Sequence, residues 1–223
     1  MSANRSVRLA HNIIDRPKLD LPAAGQFAIN EIFCSLQGEG AQAGRAMVFL
    51  RFSQCNLRCS VSNSGFDCDT DFSGKRVMTQ SQIFSELSAM KLQTDWLLLT
   101  GGEPALQVTP DFLGALKNAG WKIAIETNGT IRLPEGFDWI TLSPKSAEHT
   151  IRQRHADEVK YVLSEGMSLP RPSIAAKHYF VSPAFQPDGT LRREDLEWCI
   201  NLVKQAPDKW RLSIQLHKLI GIR

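Results

Sequence analysis

Three of the five cysteines in this 223-residue chain fall within fourteen residues, in CNLRC (55–59) and the SVSNSGFDC that follows and ends at Cys68. Clustered thiols are either disulfide partners or metal ligands, and the compartment decides which. The first 26 residues, MSANRSVRLAHNIIDRPKLDLPAAGQ, break every apolar pair with Arg, Asp or Pro, so they lack the apolar stretch of an export signal and read as a tail or irregular strap. A cytoplasmic protein with reduced thiols is therefore expected, and its cysteine cluster points to metal. Three thiolates are one short of the four that close a structural zinc site or an ordinary iron-sulfur cluster. A 4Fe-4S cluster held by Cys55, Cys59 and Cys68 would keep one iron open to another ligand. A zinc site completed by a distant His is the alternative. Cys34 and Cys199 stand apart, and Cys199, in the helical stretch LRREDLEWCINLVKQ, reads as a small core residue.

The elements that must position these thiols follow from periodicity. Short runs rich in β-branched and aromatic residues, AMVFLRF, DWLLLTG, KIAIET, DWITLS, EVKYVLS, KHYFVSP and WRLSIQL, alternate with helical stretches. TQSQIFSELSAMKL opens on Thr79 as N-cap and carries Ile83, Leu87 and Met90 on one face. TPDFLGALKNAG starts with Thr109 and Pro110 at N-cap and first helical position and stops at Gly120. LRREDLEWCINLVKQ is the third helix. This alternation predicts a single α/β domain over 27–223, with a mostly parallel sheet that is either open or an incomplete barrel, and with ligands at the carboxyl ends of its strands. Those ends carry the unusual residues: Thr100-Gly101-Gly102-Glu103-Pro104, Glu126-Thr127-Asn128-Gly129 and Ser143-Pro144-Lys145. A net charge of +3 with 22% charged residues gives no basic groove for nucleic acid. No apolar run approaches the ~18 residues of a membrane span.

The order of motifs, LQGEG, then CNLRC with a later CDTDF, then TGGEP, IETNG, LSPK and a closing WRLSIQLHK, resembles the radical S-adenosylmethionine enzymes and, within them, the 7-carboxy-7-deazaguanine synthases. The likeness runs from about Ile29 to the end of the chain. It implies an incomplete (β/α) barrel in which Cys55, Cys59 and Cys68 ligate three irons of a 4Fe-4S cluster, while the fourth binds S-adenosylmethionine. The chemistry implied is reductive cleavage of that cofactor to a radical that abstracts hydrogen from 6-carboxy-5,6,7,8-tetrahydropterin. A carbon–nitrogen lyase results, losing ammonia to give 7-carboxy-7-deazaguanine for queuosine and related deazapurines. The second cysteine gap, eight residues instead of the superfamily's two, departs from the pattern, and Cys34 in place of Cys59 is the alternative it opens.

Residue by residue, the resemblance places Leu36, Gln37, Gly38 and Glu39 against the pterin, Arg51 on its carboxylate, and Thr100 and Arg223 on the substrate side. Read without the family, Arg51 is equally an ordinary strand arginine. Gly102, Glu126, Thr127, Asn128, Ser143, Pro144, Lys145 and Ser182 to Phe185 (Ser182, Pro183, Ala184, Phe185) fall to S-adenosylmethionine, and the glycines of TGGEP are otherwise a plain turn. Thr70 of CDTDF would contribute oxygen to a Mg2+ ion, with Asp69 and Asp71 beside it. His217 matches a family position but reads as structural. A homodimer and a flavodoxin or ferredoxin as electron donor are also implied. Two other functions compete: an activating enzyme for a glycyl-radical protein, and a non-catalytic zinc module.

Overall fold

A computed structural model describes residues 18–60, 64, 66–68, 74, 76–91 and 93–223. Most of the expected tail, and Thr70 with its flanking Asp69 and Asp71, lie outside these residues. One nine-stranded sheet organises the chain. Its strands are β1 (Gln26–Leu36), β2 (Ala46–Phe52), β3 (Arg76–Thr79), β4 (Trp96–Gly101), β5 (Lys122–Thr127), β6 (Trp139–Leu142), β7 (His155–Leu163), β8 (Ala175–Pro183) and β9 (Trp210–Leu212). In space they run β3-β1-β2-β4-β5-β6-β7-β8-β9. β1 is antiparallel to both its neighbours, every pair from β2–β4 to β8–β9 is parallel, and the sheet ends in two free edges. This is the incomplete barrel that the strand–helix alternation predicts.

Alternate residues explain which way the sheet faces. Val48, Leu50 and Phe52 of β2, with Leu97, Leu99, Ile123 and Ile125, pack in one cluster with Ile83 and Leu87 of helix α1 (Gln80–Met90) and Phe112 and Leu116 of helix α2 (Pro110–Asn118). Val159, Tyr161 and Leu163 of β7 form a second cluster with Cys199 and Leu202 of helix α3 (Arg193–Gln205). The intervening side chains, Met47, Phe49, Leu98 and Ala124, point to the other face and pack with Phe33, Trp96 and Trp139. Helices thus cover the convex face, and the concave face is left to the site.

Capping fixes the helix starts as expected. Thr79 and Gln82 form a complete capping box at α1, and the Thr109 hydroxyl accepts from the Phe112 N–H at α2. Three features differ from the sequence reading. β1 carries a bulge between Ile29 and Glu31 that breaks the alternation by which a strand is read from sequence, and it adds a strand to those expected. β3 is a four-residue edge strand running straight into the α1 cap. WRLSIQL is a strand only to Leu212; its last residue begins a short helix, α4 (Leu216–Ile220).

Candidate active site

One polar row crosses the concave face. Glu31 of β1 sits opposite Arg51 of β2, which sits opposite Thr100 of β4; further along, Glu126 of β5 is opposite Thr141 of β6, and Thr141 opposite Glu158 of β7. Neighbours in the row are bonded: Arg51 Nε to Glu31 Oε1 at 2.8 Å, Thr100 Oγ1 to Glu126 Oε2 at 2.7 Å and Thr141 Oγ1 to Glu158 Oε1 at 2.8 Å. Gln37 donates its amide to the other Glu126 oxygen at 2.9 Å. Above this row opens a cavity of about 360 Å³, floored by Phe33 and Phe49. Arg51 and Thr100 therefore share it because parallel register places them side by side.

The LQGEG segment closes one wall. It leaves β1 and crosses to the far arm of the sheet, where Gly40 N–H donates to Ser213 Oγ at 2.9 Å, Ala41 N–H to Glu158 Oε2 at 2.7 Å, and Leu216 N–H to the Gly38 carbonyl at 2.9 Å. Gly40 has φ +66, and a Cβ there would lie 2.2 Å from Glu158 Oε1, so any side chain at this position is strained and crowds Glu158. Glu39 is ion-paired with Lys160 of β7, and Gln215 Nε2 donates to its other oxygen at 3.0 Å. Burial, with the Lys218 charge nearby, pulls Lys160 down to about 7, while the contact with Glu39 favours its charged form. Burial likewise pushes the Glu158 carboxyl up, with the Glu126 charge adding to it.

The cysteine segment is seated against two strand ends. Gly102 N–H donates to Phe52 O at 3.0 Å and Glu103 N–H to Gln54 O at 2.8 Å, and a Cβ on Gly102 would lie 1.9 Å from Gln54 O. The glycine's bareness thus admits the chain leading into Cys55, while Gly102 still lines the cavity. Glu103 is fully buried, and burial raises its carboxyl against three hydrogen bonds, from Asn128 N–H, Thr127 Oγ1 and Ala105 N–H. Asn128 in turn bonds Asn56 of CNLRC at 3.0 Å, and Asn56 bonds Thr130 at 2.8 Å. So the Asn128 side chain fastens the cysteine loop while Thr127 holds Glu103, and both residues line the cavity.

Cys55, Cys59 and Cys68 all line the cavity, and none is in a disulfide. Burial is the main reason the Cys55 thiol is pushed up to about 12, and the charges of Glu103, Cys59 and Cys68 add to it. Among the described residues no three His, Cys, Asp or Glu side chains are gathered tightly enough to hold a metal ion as they stand. The donor chemistry nonetheless fits an iron cluster: three thiols share one cavity, and cationic iron would offset the burial and neighbouring charges that hold the Cys55 thiol protonated. Cys34 packs against the convex-face core and does not line this cavity.

Of the remaining predicted residues, Leu36, Gln37, Gly38, Glu39 and Arg223 line the cavity on the LQGEG side, and Glu126, Ser143, Lys145 and Ser182 to Phe185 on the other. Pro144 turns instead into an adjoining cavity of about 230 Å³. Phe66 and Ser64 from the long cysteine gap fold over this segment, with Lys145 Nζ 5.0 Å from the Phe66 ring centre and Ser64 Oγ donating to Lys145 O at 3.4 Å. Arg223 pairs with Glu31 and lies 4.7 Å over the Phe33 ring. Sequence reasoning missed Glu31, Lys160 and Gln215. Glu158 and Lys160 did leave a signal, since two charges spaced by two in an apolar strand share one face.

A concave, half-open parallel sheet with its polar row, strand-end glycines and a triple-thiol loop around one cavity defines an α/β-barrel enzyme. No family model matches the chain. It is 42% identical over 196 residues to the 7-carboxy-7-deazaguanine synthase of Bacteroides thetaiotaomicron, covering 87% of this chain and 98% of that protein. It is 37% identical over 213 residues to the synthase of the same name from Bradyrhizobium diazoefficiens, covering 88% and 99%. The crystal structure of QueE from Escherichia coli shares the fold, with a TM-score of 0.64 at 20% identity over 86% of this chain and 95% of that one. The chain belongs to the 7-carboxy-7-deazaguanine synthase family.

Proposed function

We propose that this lyase converts 6-carboxy-5,6,7,8-tetrahydropterin to 7-carboxy-7-deazaguanine with loss of ammonia, serving queuosine-type deazapurine synthesis. The observation that supports it best is the sharing of one cavity by Cys55, Cys59, Cys68 and the Gln37–Glu126–Thr100 network. Cys55, Cys59 and Cys68 would hold a 4Fe-4S cluster, and Ser143, Lys145 and the Ser182–Phe185 segment S-adenosylmethionine. Together these groups supply reductive cleavage of the sulfonium and abstraction of a substrate hydrogen.

The chain's own residues bind and orient. Arg51 presents a planar fork to the substrate carboxylate, and Glu39 accepts from ring N–H groups, since an ionised carboxylate is an acceptor only. Phe33 and Phe49 give the flat ring an apolar floor. Mg2+ with Thr70 as an oxygen ligand, a flavodoxin or ferredoxin donor, a cytoplasmic location and a homodimer belong to the same reading. Among the described residues no helix is long and apolar enough to cross a membrane.

The test is anaerobic reconstitution followed by iron, sulfide and product analysis with the tetrahydropterin supplied. A deazaguanine carboxylate formed by iron- and sulfide-loaded protein is expected. Zinc without sulfide in protein never exposed to air would sink the proposal.

A further inference from the structure

Lys160 is the most deeply buried cation at the cavity, its side chain 9% exposed, and its Glu39 partner is 12% exposed. Taking two charges out of water is costly, and an apolar pair of similar volume often serves stability as well or better. The LQGEG backbone does not need this pair. Gly38, Gly40 and Ala41 are already bonded to Leu216, Ser213 and Glu158. What the Lys160 ammonium adds is a hold on one oxygen of the Glu39 side chain, while Gln215 Nε2 holds the other at 3.0 Å. With one donor on each oxygen the carboxylate cannot rotate, and of its roughly four lone-pair sites the unused ones remain available. Glu39 itself lines the cavity beside Gln37, whose Oε1 accepts from the Glu39 N–H at 3.2 Å and whose amide anchors on Glu126.

We propose that Lys160 is a positioning residue for substrate recognition: with Gln215 it locks the Glu39 carboxylate in the orientation that meets the N–H edge of a planar, donor-rich ring. The proposal rests on the pterin reading above, and its tests separate the two.

In cluster-loaded protein with S-adenosylmethionine, 6-carboxypterin serves as a stable probe whose binding is followed by its fluorescence. Lys160→Met, similar in length and uncharged, should weaken binding about tenfold, which is about 1.4 kcal/mol. Lys160→Arg should recover most of the loss. Glu39→Gln should weaken binding too, and Lys160→Met combined with Glu39→Gln should do no more harm than Glu39→Gln alone. At saturating tetrahydropterin the kcat of Lys160→Met should stay within about threefold of wild type while KM rises, a split that a general loss of structure does not give. Wild-type binding by Lys160→Met, or additive losses in the double variant, would overturn the proposal. The crystal structure of ligand-free Lys160→Met judges it without any pterin. Glu39 released from Gln215 or spread over several rotamers supports it, and Glu39 held in its wild-type place refutes it. Failure of the wild-type protein to bind 6-carboxypterin would count against the pterin reading alone, leaving the Glu39 orientation to decide the role of Lys160.

Discussion

Arg51 and Arg223 approach Glu31 from two sides, so one carboxylate already occupies the ground between two guanidinium groups. A substrate carboxylate would enter the same electrostatic field, with Glu31 keeping Arg51 extended before it arrives. Arg51→Ala should therefore weaken tetrahydropterin binding by roughly ten- to a hundredfold, the range of a charged hydrogen bond worth about 1.5–3 kcal/mol. Cleavage of S-adenosylmethionine without substrate should persist. Parallel assays of the two reactions check this, and equal loss of both would contradict the role given to Arg51. Cys59→Ala should abolish cluster assembly, read as loss of sulfide and of visible absorbance after reconstitution. Cys34→Ala should leave the cluster in place, because Cys34 packs on the opposite face of β1.

At the scale of elements, the crossing of LQGEG to β7 depends on one glycine and one buried carboxylate. Gly40→Ala demands a left-handed conformation of an L-residue and drives a methyl into Glu158. A loss of about 1–3 kcal/mol is expected, lowering Tm by several degrees, with substrate binding failing first. Glu158→Gln tests the electrostatics. Its amide oxygen can accept from Ala41 N–H and its NH2 donate to Thr141 Oγ1, so both partners survive. Burial raises the folded-state carboxyl above its unfolded value, so the protonated form is the one folding favours. Stability from this group is full below the ordinary glutamate range and is lost as pH rises through the raised folded value. Thermal melts at acid and mildly alkaline pH should show wild type losing ground to Glu158→Gln as pH rises, and a constant difference would be evidence against the raised carboxyl.

The same elements show what the chain made legible. Thr79, Thr109 and Pro110 announced α1 and α2 because capping is local chemistry, decided by residues three apart. β1 escaped because its bulge at Asn30 shifts alternation in mid-strand, and β3 because four residues leave no period to read. Among the described residues, those taken from motif order converge on the cavity, Pro144 excepted, whereas the spacing of Glu158 and Lys160 shows a shared face but not their burial. A sequence does not distinguish a buried charge from a solvated one until the strands on both sides are known.

Across the whole molecule, two cores on one convex face, one under β1–β5 and one under β6–β9, share a single sheet, and across the site the LQGEG segment is tied to Ser213, Gln215 and Leu216 by a few hydrogen bonds. A chain ended at Leu212 should keep the circular dichroism of a folded α/β sheet, since neither core loses a buried member. It should lose pterin binding, because Gly40 and Glu39 lose these partners. Retained affinity in that truncated protein would show that the crossing is dispensable.

These contacts also set an order of manufacture. Gln215 and Glu39 are separated by 176 residues, so while the chain is being synthesised CNLRC leaves the ribosome long before the wall facing it exists. Domains fold as their segments emerge, and late long-range contacts close last. The thiols of a nascent chain therefore wait beside an unfinished cavity until helix α4 has emerged. A metal that reached them after α4 was in place would meet a finished chamber, and one that reached them earlier an open one.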